Sequence, residues 1–197
     1  MKLNKFILLG GAQQKADLTM LSREIFNDVA SSVNILICLF ARNPTLWSWD
    51  DVFNENKVFF TSLSPECNMD FVLANEKDFI SQIGTADIIY FSGGDSIPLF
   101  SSLARIGNEW ISMMKNKVVI GTSAGADLLS KHNYDFQQGA LSDGMGIVPV
   151  KTIVHYGEKE GYYADADWDA IVSLLKGYGE DLPLHPLREG EFITLHF

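Results

Sequence analysis

Short apolar, β-branched runs alternate along this chain with longer stretches in which apolar residues return every three or four positions. The runs at 5–9, 34–40, 58–61, 88–91, 117–120, 152–154 and 192–195 predict strands. Between the first two, Leu21, Ile25, Phe26 and Val29 fall on one helical face, with Asp17 placed to cap its start. Further helices are predicted at 76–83, 96–106, 109–115, 124–131 and 165–176. Pro98 sits in a first turn, and Gly84, Gly107 and Gly177 sit where helices commonly stop. Strand and helix in alternation predict an α/β fold built on a mostly parallel sheet. Neither a linker nor an internal repeat interrupts the pattern, so residues 1–197 are expected to form one domain.

In such a sheet the functional crevice lies beyond the carboxyl ends of the strands. Gly10-Gly11 follows the first run, Ala41-Arg42-Asn43 the second, Ser92-Gly93-Gly94-Asp95 the fourth, Gly121-Thr122-Ser123-Ala124-Gly125 the fifth and His155 the sixth. A serine on a sharp strand-to-helix turn is exposed and aligned for attack on a carbonyl, and glycines two residues before and after it remove side chains that would clash there. The amide of Ala124 is then placed to meet an oxyanion, and the Gly93-Gly94 pair lets a second amide approach it. By itself this pattern also fits a plain glycine turn in which Ser123 caps a helix or holds an anion.

A serine nucleophile needs a base. His155 follows a β-branched run at the reactive edge, whereas His132 lies beyond the helix after the turn, His185 lies in a proline-flanked loop and His196 nearly ends the chain. The carboxylate that would orient the imidazole is left open by the residues alone, with Asp135, Asp143, Glu158, Glu189 and Glu191 all available.

The overall charge narrows the partners. Fifteen Lys and Arg stand against 25 Asp and Glu, for a formal charge of −10, with no basic cluster. Nucleic acid is an unsuitable partner, because phosphate binding needs concentrated cationic charge. No apolar stretch is long enough for a secretion signal or a membrane span, so no membrane partner and a cytoplasmic location are expected. Cys38 and Cys67 lack metal-type spacing, and Cys38 is expected to be a buried free thiol. No metal site is expected.

The segments F-S-G-G-D at 91–95 and G-T-S-A-G-A at 121–126, followed by a histidine after a strand, resemble the serine peptidase family of aspartyl dipeptidase (peptidase E) and cyanophycinase. The resemblance runs from Phe6 through Leu187-Arg188-Glu189-Gly190. It implies a three-layer, flavodoxin-like sheet flanked by helices on both faces, similar to class I glutamine amidotransferases, and no cofactor. It also implies a Ser-His-Glu triad of Ser123, His155 and Glu189, with Gly94 and Ala124 as oxyanion donors. The expected substrate is a dipeptide or short peptide cleaved through an acyl-enzyme, with an aspartyl preference that Arg42 would serve, and the expected assembly is a monomer or homodimer. Asp95 stands where the dipeptidase branch typically has Asn and looks more like the cyanophycinase branch; it is carried as a second substrate-binding candidate. The alternatives are a cyanophycinase-like isopeptide hydrolase and a non-catalytic small-molecule-binding module.

Overall fold

The computed structural model describes residues 4–27 and 29–197. The buried run Lys5–Leu9 forms β1; Ser32–Cys38, Asn68–Leu73, Ile88–Phe91 and Val118–Thr122 form β2 to β5. A second, smaller sheet holds β6 (His132–Asp135), β7 (Ala140–Asp143), β8 (Lys151–Ile153) and β9 (Leu184–Pro186), before β10 (Phe192–His196) returns to the first. The first sheet has the order β10-β1-β5-β4-β2-β3 and is parallel except for β10, which runs antiparallel to β1. In the second, ordered β7-β6-β8-β9, only β7 is antiparallel to its neighbour.

Strand alternation divides the core into two layers. Ile7, Leu9, Ile35 and Ile37 pack with Leu21 and Ile25 of α1 (Leu18–Phe26) and with Val52 and Phe60 of α2 (Trp49–Leu63). Their strand neighbours Phe6, Leu8, Leu36 and Cys38 face the other way. They meet α3 (Phe79–Thr85), α4 (Ser96–Ile106), α5 (Glu109–Met113) and α6 (Ala124–Leu129). Residues buried on both faces explain why these strands read as continuous apolar runs. Cys38 is the expected buried free thiol, and burial pushes its pKa up to about 12.

One expected strand is wrong. Residues 58–61 lie inside α2, where Val52, Asn56, Phe60 and Leu63 are buried at helical spacing and Ser48 caps the start by accepting from the Asp51 amide. Val58 points to solvent on the opposite face, at 71% exposure. The V-F-F-T run is β-like in composition, but its neighbours four residues away decide its conformation. Gly84 likewise falls inside α3 and does not end it, whereas Gly107 and Gly177 do stand at C-caps.

The second sheet is carried by α7 (Trp168–Lys176), whose Ile171 and Leu175 pack on Ile153. Buried Lys151 donates from Nζ to the carbonyls of Leu175 and Lys176, both at 3.0 Å, placing a cation at the end of α7 where the last carbonyls lack helical partners. That anchor fixes β8, and with it the segment leading to His155.

Candidate active site

β5 runs into α6 through Ser123, whose φ of 53° and ψ of −118° lie in a region that non-glycine residues seldom occupy, at a cost of about 1–3 kcal/mol. The surroundings hold it there: the Ser123 amide donates to the Leu9 carbonyl, while its own carbonyl accepts from the amides of Ala126 and Asp127. The flanking glycines are set by close approach. A Cβ on Gly121 would lie 2.3 Å from the Gly125 carbonyl oxygen, and one on Gly125 would lie 2.2 Å from that of Phe91. Any side chain at either position would push helix from strand.

His155 follows β8 with a φ of 55°, and its amide donates to the Gly10 carbonyl. This bond ties the end of the second sheet to the end of β1 and brings His155 Nε2 to 2.8 Å from Ser123 Oγ. The other ring nitrogen, Nδ1, lies 2.5 Å from Glu189 Oε1. A carboxylate can only accept, so Nδ1 carries the hydrogen and the Nε2 lone pair faces the serine hydroxyl. Glu189 sits in a short turn closed by the Glu191 amide on the Arg188 carbonyl and by Glu191 Oε2 on the Arg188 amide. Its Oε2 is buried with no hydrogen-bond partner among the described residues, so the His155 contact is the only hydrogen bond its carboxylate makes there.

Three of the four competing carboxylates, Asp143, Asp135 and Glu191, are engaged elsewhere, while the Glu158 carboxylate makes no hydrogen bond or ion pair among the described residues. Asp143 and Glu180 bracket the imidazole of His132, at 2.6 and 2.5 Å, beyond α6. Asp135 accepts from the Ser96 hydroxyl at 2.7 Å and from Gln137 and Gln138. Glu191 belongs to the turn that presents Glu189. Among the described residues no group of His, Cys, Asp and Glu is arranged to hold a metal ion.

Gly94 and Ala124 line a cleft of about 50 Å³ together with Ser123 and His155, and neither amide makes a hydrogen bond within the described residues. Gly94 has a φ of 148°, and a Cβ there would strike the Ala41 carbonyl oxygen at 2.2 Å. The chemistry open to this arrangement is attack by Ser123 Oγ on a carbonyl whose oxygen turns toward those two amides.

The same cleft contains groups that the sequence reading passed over. Asp127, on the buried helix α6, accepts from Thr152 Oγ1 at 2.9 Å, and burial raises its pKa well above that of a free carboxyl. For Asp135 burial acts in the same direction, but hydrogen bonds from Ser96, Gln138 and Gln137 outweigh it and leave the pKa lowered. Burial thus favours the protonated form of Asp127, while hydrogen bonds favour the charged form of Asp135. Tyr163 stacks on His155 with ring centroids 4.9 Å apart, its hydroxyl pKa raised by burial and by surrounding carboxylates. The signal for Asp127 was present: an acid inside A-G-A-D-L-L, where every other residue is small or apolar.

Two expected substrate residues lie elsewhere. Asp95 accepts from the Ile97 amide as the N-cap of α4 and does not line the cleft. Arg42 lines a separate cavity on the α2 side of the sheet.

A family model described as peptidase family S51 matches residues 6–196, nearly the whole chain. The chain belongs to peptidase family S51. Membership makes it a serine peptidase, in accord with the resemblance read from the sequence. Two solved structures share the S51 chain's α/β fold. A protein from Listeria monocytogenes EGD-e assigned as a peptidase E is 16% identical, with a TM-score of 0.70 over 98% of this chain and 95% of that one. A peptidase from an acI-B1 Actinobacterium is 21% identical, with a TM-score of 0.61 over 98% of this chain and 83% of that one. No curated protein matches the chain. No helix of this S51 peptidase, among the described residues, is long and apolar enough to cross a membrane.

Proposed function

We propose that this S51 peptidase hydrolyses dipeptides or short peptides through an acyl-enzyme on Ser123, with His155 as base and Glu189 as its orienting carboxylate. The observation that carries the reading is the unbroken hydrogen-bonded chain from Ser123 Oγ through the imidazole to Glu189. As Oγ bonds to the scissile carbonyl carbon, its proton passes to His155 Nε2, and Glu189 stabilises the imidazolium across Nδ1. The carbonyl oxygen gains negative charge facing the amides of Gly94 and Ala124. Collapse breaks the C–N bond, and His155 returns the proton to the leaving amine. Water, deprotonated by the same imidazole, then releases the acyl group and restores Ser123.

The cleft supports a substrate that presents a small cationic group beside the scissile carbonyl. It is narrow, contains Asp127 and charged Asp135, and has no Lys or Arg among its lining residues. An α-ammonium group suits it, as in a dipeptide. An aspartyl carboxylate would meet like charge, so this lining weighs against an aspartyl preference.

Activity-based labelling with a fluorophosphonate tests the reading, because only an activated serine reacts quickly. Stoichiometric labelling at Ser123 is expected, lost in Ser123→Ala and strongly slowed in His155→Ala. A panel of aspartyl dipeptides, neutral dipeptides and β-aspartyl-arginine then reports the substrate. Unreactive Ser123 in the parent protein would favour a binding module and end the hydrolase proposal.

A further inference from the structure

Next to the turn that carries Ser123 lies a second cavity of about 410 Å³, lined by Gln13, Arg42, Asn56, Tyr90, Gly93 and Thr122. Its neutral groups already satisfy one another. Tyr90 OH and Thr122 Oγ1 both donate to Gln13 Oε1, Gln13 Nε2 donates to Asn56 Oδ1 at 3.2 Å, and Asn56 Nδ2 donates to the Val52 carbonyl at 2.8 Å.

Arg42 is the exception. Its Nε is buried and has no hydrogen-bond partner among the described residues, and no carboxylate there forms an ion pair with it. Glu55 also lines the cavity but is exposed and unpaired with it. The Arg42 backbone is anchored, and an aromatic ring lies beside its guanidinium. Its amide donates to the Leu39 carbonyl, its carbonyl accepts from Trp49 Nε1 at 2.8 Å, and the Trp47 ring lies 5.2 Å from the guanidinium carbon. A planar cation held in place on its backbone and one face, with an N–H unmet, is preorganised for a planar anion.

The cavity borders the reacting groups on two sides. Thr122 and Gly93 directly precede Ser123 and Gly94, and a Cβ on Gly93 would lie 3.6 Å from Ser123 Oγ. Ala12 and Gln13 follow Gly11, which packs against the His155 ring. The leaving amine has to sit where His155 can protonate it, and in a dipeptide the terminal carboxylate is only two bonds beyond that nitrogen.

We propose that Arg42 and its cavity receive the free carboxylate of the leaving amino acid, which makes the protein selective for substrates with one residue after the scissile bond. This rests on Ser123 being the residue acylated. With the acidic cleft taking the α-ammonium end, the two cavities match the two charges of a dipeptide zwitterion.

Leucine and leucinamide, used as leaving-group mimics, test the assignment through protection of Ser123 against a fluorophosphonate. In the parent protein leucine should protect at a concentration at least about tenfold lower than leucinamide, a tenfold ratio corresponding to 1.4 kcal/mol. Arg42→Gln should bring the ratio close to one, and Arg42→Lys should retain part of it. Each ratio is internal to its variant, so a change in intrinsic labelling rate cancels. Equal protection by the two mimics, no protection by either, or an undiminished ratio in Arg42→Gln would overturn the assignment while leaving the acyl-enzyme intact. Failure of Ser123 to label in the unliganded parent would overturn both.

Discussion

Gly11 leaves the space that His155 occupies: a Cβ built on Gly11 would lie 2.4 Å from His155 Cε1 and 2.8 Å from Glu189 Oε2. The end of β1 thus serves as the floor on which imidazole and carboxylate meet, although neither side chain belongs to the first sheet. In Gly11→Ala the methyl group should move His155 away from Ser123 while the two core layers stay packed. A fall in kcat of roughly 10²-fold or more is expected, on the scale that a shift of about 1 Å costs at a reacting centre. A substitution that left kcat unchanged would show that His155 does not need this position.

Glu189 and Asp143 each hold a histidine, but only one of those histidines reaches Ser123. Glu189→Gln should lower kcat by about 10³- to 10⁴-fold with the fold preserved, because the amide cannot stabilise the imidazolium that forms. Asp143→Asn should lower Tm and leave kcat close to that of the parent protein. Steady-state kinetics and thermal melts on the two variants separate these effects, and a greater kcat loss at Asp143 would reverse the assignment.

Asp127 makes stability depend on pH. Burial raises its pKa in the folded protein above the ordinary 3.8, so the folded state holds the proton more tightly than the unfolded chain. Between those two values stability falls as pH rises, since the folded state binds the extra proton. Asn cannot titrate, so the Tm advantage of Asp127→Asn over the parent should widen as pH is raised from about 4 to about 9. A gap that stayed constant or narrowed would mean that burial does not raise the pKa of this carboxyl.

The charged partner in the same cleft, Asp135, should act on substrate choice. N-acetylation of a dipeptide removes its α-ammonium charge and should lower kcat/KM, mainly through KM. Asp135→Asn should shrink the difference between free and acetylated substrates. Acetylated dipeptides cleaved as well as free ones would exclude this role.

The strands of the first sheet were largely legible because burial on both faces makes each a continuous apolar run, as at Ile88–Phe91, where the expected and observed limits coincide. Asn68–Leu73, by contrast, alternates exposed and half-buried positions at the sheet edge, and its mixed composition gave no such run. Of the second sheet only β8 was anticipated, by the run at 152–154, and the rest escaped for a related reason. Its strands of three or four residues, such as Leu184–Pro186, are too short to show a period. The strand expected at 58–61 failed because four β-prone residues were read without the apolar positions one helical turn away.

Local sequence determined the turn that exposes Ser123, since glycines 121 and 125 are required by contacts between the adjoining strand and helix. It also singled out His155, because the β-branched run before it ends at the reactive edge. The residues alone did not single out Glu189, which only the family resemblance named. That choice among five carboxylates depends on chain segments 34 residues apart meeting over Gly11, and spacing carries no information about such a meeting. Tertiary structure likewise decided that Arg42 and Ser123 open onto different cavities. Which side of a sheet a loop residue faces is set by how the helices pack around it, and that is a property of the folded chain.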